Sequence, residues 1–280
     1  MELNPPAAQV AQDLSKPRWF SENPDKAWGE KFFLVYTPIW ILQTAIGVVL
    51  GFGRTLGDAG LLVHACAIAL PLVLVPPFIR RASQPGLRWH QTYWFKANLY
   101  MAIFVVLGSY FGSEYFFDVL GMVYNYPQIH LTFDATLVGS GQQTVPLIMY
   151  LLALAYFMTY HTTAVVVLRR LKTSRIRLLG WAFPLAVLAI GYFWAWMETF
   201  VMANPLMRDS FYYQDLNRML AYGSIIYSCY FVTSFPVFYF LDEKPGARWS
   251  LLQTAAAALS ASMLTIFMLD LVTRFVGRIY

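Results

Sequence analysis

Residues 191–205 read GYFWAWMETFVMANP. The stretch is apolar and aromatic enough to lie in lipid, yet it carries Glu198 and, six residues on, Asn204. An ionisable side chain at membrane depth is expensive and by default faces a bundle interior or a cavity. On a helix, Trp194 and Glu198 are one turn apart and share a face. Desolvation disfavours the carboxylate, so a Glu here is expected to hold its proton at neutral pH. A neutral carboxylic acid beside aromatic rings can protonate an unreactive hydrocarbon and tolerate the cation that results. The competing reading is a packing Glu hydrogen-bonded to a neighbouring helix, and the stretch alone leaves both open.

The remainder of the chain fits the same environment. Its 280 residues are 58% hydrophobic, 18% aromatic and 12% charged, whereas a soluble domain is roughly a quarter charged. The chain therefore reads as an all-α, polytopic integral membrane bundle. A span needs about 20 mainly apolar residues, and seven runs qualify: 32–53, 60–79, 97–117, 145–168, 178–204, 219–241 and 251–269. Pro71 and Pro76 are expected to kink or shorten the second, and Pro184 to kink the fifth near its start. Residues 1–22 read as a flexible tail without a signal-peptide core, and 23–280 as a single transmembrane domain. Asn23-Pro24-Asp25 marks the start of the first helix, with an N-cap residue, a proline and an acid in the first turn.

Seven spans place the tail and the loops 80–96, 169–177 and 242–250 on one side, with fifteen Lys and Arg against five on the other. The positive-inside rule then puts the N-terminus in the cytoplasm. The net charge of +5 arises in these short loops and gives no sign of nucleic-acid binding. With the third and fifth spans running the same way, Glu114 and Glu198 are expected at similar heights in the outer part of the bilayer, at about 1.5 Å of rise per residue. Asp270 is expected near that level and His161 nearer the cytoplasmic face.

Familiar chemical signatures are missing from the sequence. It has no phosphate-binding glycine loop, no serine nucleophile elbow and no paired histidines of metal-site spacing, so there is no sign of nucleotide use and no metal is expected. Cys66 and Cys229 read as buried thiols. In the third span Tyr110, Glu114 and Asp118 recur every four residues and line one face, the two acids being equally readable as interface markers. Tyr93-Trp94 beside Lys96 reads as an interfacial aromatic belt, with the more suggestive Asn98 just inside. His161 reads as a satisfied polar contact and Asp242-Glu243-Lys244 as a solvated loop. The long loop 118–144 reads as an ordinary packed loop rather than a lid, with a short strand or interfacial segment at 128–133.

Several stretches in order resemble the cycloeucalenol cycloisomerase family of cyclopropyl-sterol isomerases. They are WGEKFFLVYTPIW (28–40), YWFKANL (93–99), SYFGSEYFFDVLGMVYNYP (109–127), METFVMANP (197–205) and SFPVFYFLDEK (234–244). The resemblance implies cofactor-free opening of a 9β,19-cyclopropane ring of a sterol to a Δ8 sterol, by protonation at C19 and loss of the C8 proton. It further implies a sterol substrate taken from membrane lipid, in the endoplasmic reticulum of a eukaryote or the cytoplasmic membrane of a bacterium. On this basis Glu198 and Glu114 are the expected catalytic carboxyls. Tyr110, Tyr115, Trp194 and Trp196 are the expected ring partners of the C9 cation, worth about 0.5–2 kcal/mol each. Asn204 or Asn98 would orient a carboxyl or the sterol 3-hydroxyl. The alternative from another class is a non-catalytic sterol-binding or transfer protein; a transporter is disfavoured by the absence of an internal repeat.

Overall fold

The computed structural model describes residues 17–80, 86–174, 182–246 and 248–280. Seven helices are long and apolar enough to cross a membrane: α1 Pro24–Val49, α2 Asp58–Ile79, α3 Tyr93–Asp118, α4 Leu147–Lys172, α5 Ala182–Met202, α6 Leu216–Phe240 and α7 Leu251–Val276. The protein is an integral membrane helical bundle. Most of the expected tail, and Lys16, Arg81, Arg175 and Arg177 of the charge count, lie outside the described residues.

Local chemistry accounts for the helix limits. Asn23 caps α1, its side chain accepting from the Asp25 N–H at 3.1 Å, with Pro24 in the first helical position. Ser250 and Gln253 form a reciprocal capping box at the start of α7. As expected, the prolines of α2 interrupt its helix. A proline lacks the N–H that would bond the carbonyl four residues back, and in lipid that carbonyl must find another donor. The Tyr36 hydroxyl of α1 supplies one, donating to Ile68 O at 2.7 Å and Ala67 O at 3.4 Å. Asn98 Nδ2 of α3 supplies the other, donating to Leu72 O at 3.1 Å.

Helix α4 is the centre of the bundle, and α1, α2, α3, α5 and α6 all pack on it; α7 closes the far side against α3 and α6. Two π-helical segments interrupt the regular winding, Gly108–Gly112 in α3 and Met219–Gly223 in α6. Gly108 and Gly112 have no side chains to obstruct the Tyr230 ring, which lies where their Cβ atoms would stand. The Tyr230 hydroxyl donates to Gly108 O at 2.9 Å.

At the end of the bundle where α1 and α5 finish, β1 Met122–Tyr124 pairs antiparallel with β2 Phe211–Tyr213. Of the short strand or interfacial segment expected within 128–133, the pairing present is one bridge, Thr132 with Pro146. The loop 118–144 is largely exposed from residue 125 on and is pinned by acids: Asp58 accepts from the Leu131 N–H at 2.9 Å, and Asp118 from the Ser140 N–H at 2.7 Å.

The opposite end departs from the sequence reading. Tyr93, Trp94 and Lys96 are buried in the bundle rather than ranged along an interface. Of the segment expected as a solvated loop, Lys244 is exposed, but the buried Asp242 pairs with Lys96 and the partly buried Glu243 with Arg169 at 2.7 Å and Lys26 at 2.9 Å. Arg169 also grips Glu30, at 2.6 Å. Lys26 donates to the carbonyls of Tyr239 and Leu241, the orphan acceptors where α6 ends. This end is therefore a charge-paired plug joining α1, α3, α4 and α6. Residues 17–22, read as tail, belong to it: Trp19 O accepts from Arg169 Nη1 at 2.8 Å, and the Arg18 N–H donates to Thr173 Oγ1 at 2.8 Å.

Candidate active site

Helix α5 has two different sides. Val187, Gly191, Ala195 and Thr199 form a buried stripe, and Gly191 allows close approach to Phe231 and Val232 of α6. Glu198 follows Met197 and precedes Thr199, so its side chain turns off that stripe by about 100°. With Trp194, Met197 and Val201 it faces a cavity of about 660 Å³, within the range of roughly 300–1,000 Å³ usual for small-molecule sites. Among the described residues lining this cavity, Glu198 is the only acid.

The walls are largely apolar and aromatic, with phenols concentrated around the carboxyl. The Tyr227 hydroxyl donates to Glu198 Oε2 in a short hydrogen bond, and the Tyr160 phenol reaches the same carboxyl. Trp194 stacks on Tyr160 with ring centroids 4.6 Å apart. Phe116 meets Tyr227 edge-on at 4.8 Å, and Tyr227 meets Tyr230 edge-on at 5.6 Å. Tyr124, Tyr126, Tyr156 and Tyr213 complete the phenol set. In the closing loops, burial raises the phenol pKa values of Tyr124, Tyr126 and Tyr213, the last also under the influence of Glu198. These groups stay neutral and act as donors rather than bases.

The residues anticipated from sequence divide into two groups. Glu198, Trp194 and Asn204 line the cavity. Asn204 ends α5, donating to Val201 O at 2.7 Å and accepting from the Leu206 N–H at 2.9 Å. Glu114, Tyr110, Tyr115, Trp196 and Asn98 do not line it. Tyr110, Glu114 and Asp118 do share a face, but that face looks into the loop 118–144: Tyr110 packs on Phe133 at 4.8 Å, Asp118 holds Ser140, and the buried Glu114 carboxyl lies against Gly139. Instead, Ser109, Ser113 and Phe116 of α3 look into the cavity. Tyr115 reaches Asp270 of α7 at 3.5 Å, the common level expected for those segments. Trp196 stacks on the outward-facing Phe200 at 5.1 Å. Asn98 serves α2 as described. His161 is fully buried and satisfied, through Phe157 O at 2.8 Å and Ser234 Oγ at 2.7 Å.

Sequence reasoning overlooked the partners of the carboxyl. Tyr156 and Tyr160, one turn apart on α4, and Tyr227 and Tyr230, three residues apart on α6, carry the spacing of one-face pairs in otherwise apolar helices. That signal was available, but in a chain with 18 tyrosines it did not single them out.

The arrangement is a largely apolar and aromatic cavity with one carboxyl hydrogen-bonded to phenols, suited to moving a proton to and from an apolar molecule. The chain is 36% identical over 270 residues to the cycloeucalenol cycloisomerase of Arabidopsis thaliana, an alignment spanning 93% of this chain and 90% of that protein. No family model and no solved structure matches it.

Proposed function

Since the chain belongs to the cycloeucalenol cycloisomerase family, we propose that it is a sterol isomerase that opens a 9β,19-cyclopropane ring to a Δ8 sterol inside this cavity. The observation that carries the reading is Glu198, the single carboxyl among the described cavity-lining residues, held by Tyr227 within an aromatic enclosure.

In this reading protonated Glu198 delivers its proton to C19. The C9–C19 bond supplies the electron pair for the new C–H bond and leaves positive charge at C9. Loss of the C8 proton to the Glu198 carboxylate then forms the Δ8 double bond and restores the acid. Atoms balance without an added reagent. Tyr227, with Tyr160 beside it, holds the carboxyl in place and stabilises its charged form between the two transfers. In this reading the rings of Trp194, Tyr160 and Tyr230, which line the cavity, stabilise the cation at about 0.5–2 kcal/mol each. Asn204 lies under two turns beyond Glu198, where the polar 3-hydroxyl end of the sterol would sit. The reading narrows the sequence-based pair of carboxyls to Glu198, because Glu114 opens onto the loop instead.

The decisive experiment incubates purified protein in lipid with cycloeucalenol or cycloartenol in D₂O buffer and analyses the sterols by mass spectrometry. The expected product is a Δ8 sterol with one deuterium in the new C19 methyl. Sterol bound but unchanged by folded protein would replace this reading with a sterol-binding protein.

A further inference from the structure

The cavity is not closed on all sides. Helices α1 and α5 both pack on α4, but they are not closely packed on each other. Residues on the facing sides of both helices line the cavity and are also open to the bilayer. On α1 these are Ile41, 48% exposed, Ala45 and Val49, 72% exposed; on α5 the corresponding residue is Val201, 53% exposed. The three of α1 recur at helical spacing and form a continuous apolar rim, and on α5 Val201 continues the half-buried Trp194 and Met197 along one face. The floor between the rims is α4, with Tyr156 and Tyr160 in view.

The register across this cleft follows from the contacts with α4. Trp40 Nε1 of α1 donates to Thr159 Oγ1 at 3.0 Å, while Trp194 of α5 stacks on the adjacent Tyr160. Trp40 and Trp194 thus stand at one level. Both helices then run the same way, so Val48 and Val201, which both line the cavity, come to one level about two turns further on. Glu198 belongs to the α5 rim face and sits just inside the opening.

We infer that the α1–α5 cleft is a lateral portal through which one membrane-dissolved sterol slides from the bilayer into the cavity, its long axis kept parallel to the helices. The inference rests on the isomerase reading above for the identity of the occupant. An apolar slot between two lipid-facing helices admits a molecule already dissolved in lipid and spares it passage through water. The end of the bundle is a different kind of opening: Arg54, ion-paired with Asp209 at 2.7 Å, lines the cavity there beside Tyr124, Tyr126 and Phe211, so an apolar molecule would have to pass water and charge.

The test links the rims. Val48→Cys and Val201→Cys are combined in a background with Cys66→Ala and Cys229→Ala, and the pair is bridged by a cleavable bifunctional thiol reagent. The expected result is at least a tenfold fall in conversion of cyclopropyl sterol supplied in vesicles, reversed when the bridge is cleaved. Sterol loaded in the cold before bridging is still converted once on warming. Undiminished conversion of vesicle sterol by the bridged protein would overturn the portal. Failure of loaded sterol to react even without the bridge would instead overturn the isomerase reading. In that case, or if no bridge forms, a photoreactive sterol in the vesicles decides the portal. Labelling of Ile41, Ala45 and Val201 supports it, and labelling confined to the 118–144 loop refutes it.

Discussion

Glu198 and Glu114 are both single acids in apolar helices, and only their neighbours distinguish them. Glu198 meets phenols and open volume, whereas Glu114 meets Gly139, whose φ of +86° and lack of a Cβ let the loop lie directly on the carboxyl. Replacing Glu198 by Gln preserves shape and hydrogen bonding but removes the proton to be given. Activity should fall at least 100-fold, the lower end of what a positioned acid or base contributes. Glu114→Gln should retain activity within about fivefold, since general acid–base catalysis needs contact with the reacting atoms. Both are read from the rate of Δ8 sterol formation by protein with wild-type melting behaviour. Equal losses in the two variants would restore Glu114 as a partner and sink the single-carboxyl scheme.

Among the elements, the interrupted helices are the informative ones. The π-helical turn of α3 lines the cavity through Gly108 and Ser109, and such bulges favour functional sites. Here the α3 bulge turns Gly108 and Gly112 toward Tyr230, which in turn packs edge-on against Tyr227, the residue that holds Glu198. The proline breaks of α2 have a purely structural consequence, carbonyls that other helices must satisfy. Asn98→Leu leaves the Leu72 carbonyl without its donor, and the expected cost is about 1–2 kcal/mol. Thermal unfolding in detergent should report that loss, with kcat/KM of the folded protein within about twofold of wild type. A large kcat/KM defect at unchanged stability would instead make Asn98 part of the binding site.

For the molecule as a whole, the charge-paired plug and the open cavity lie at opposite ends of the same helices. Burial alone would raise the Glu243 pKa, but hydrogen bonds and charge from Arg169 and Lys26 outweigh it and hold the carboxyl below its ordinary value. A depressed folded-state pKa gives stability that is present above the ordinary Glu value of about 4.3 and lost as the pH falls through the folded-state value. Glu243→Gln breaks a largely buried pair, so it should destabilise the protein by about 3–5 kcal/mol at neutral pH. The gap to wild type should narrow as the pH falls below about 4.3 and close only below the depressed folded-state value, where wild-type Glu243 itself is protonated. Melting curves from pH 3.5 to 7.5 in one lipid mixture would show this; a gap independent of pH would mean that the ion pairs do not carry the effect.

Composition and period determined a great deal by themselves. Apolar runs of span length are local properties, and so are an N-cap followed by proline and the prolines that break α2; the seven helices were therefore legible in the chain. So was Glu198, because an acid in a run that must lie in lipid is conspicuous without any knowledge of its neighbours. Which way a side chain faces relative to other helices is not local. Glu114 has the same one-dimensional signature as Glu198, yet the packing of α3 turns it to the loop and turns Ser113 and Phe116 to the cavity. Tyr160 and Tyr227 come from helices distant in sequence and meet only at the carboxyl. Asp242, Glu243 and Lys96 read as solvated or interfacial because charges near span ends usually are; their burial depends on partners brought together from four helices. Tertiary structure alone decided these points, since a buried polar group is tolerated only where distant segments supply its hydrogen bonds and counter-charge.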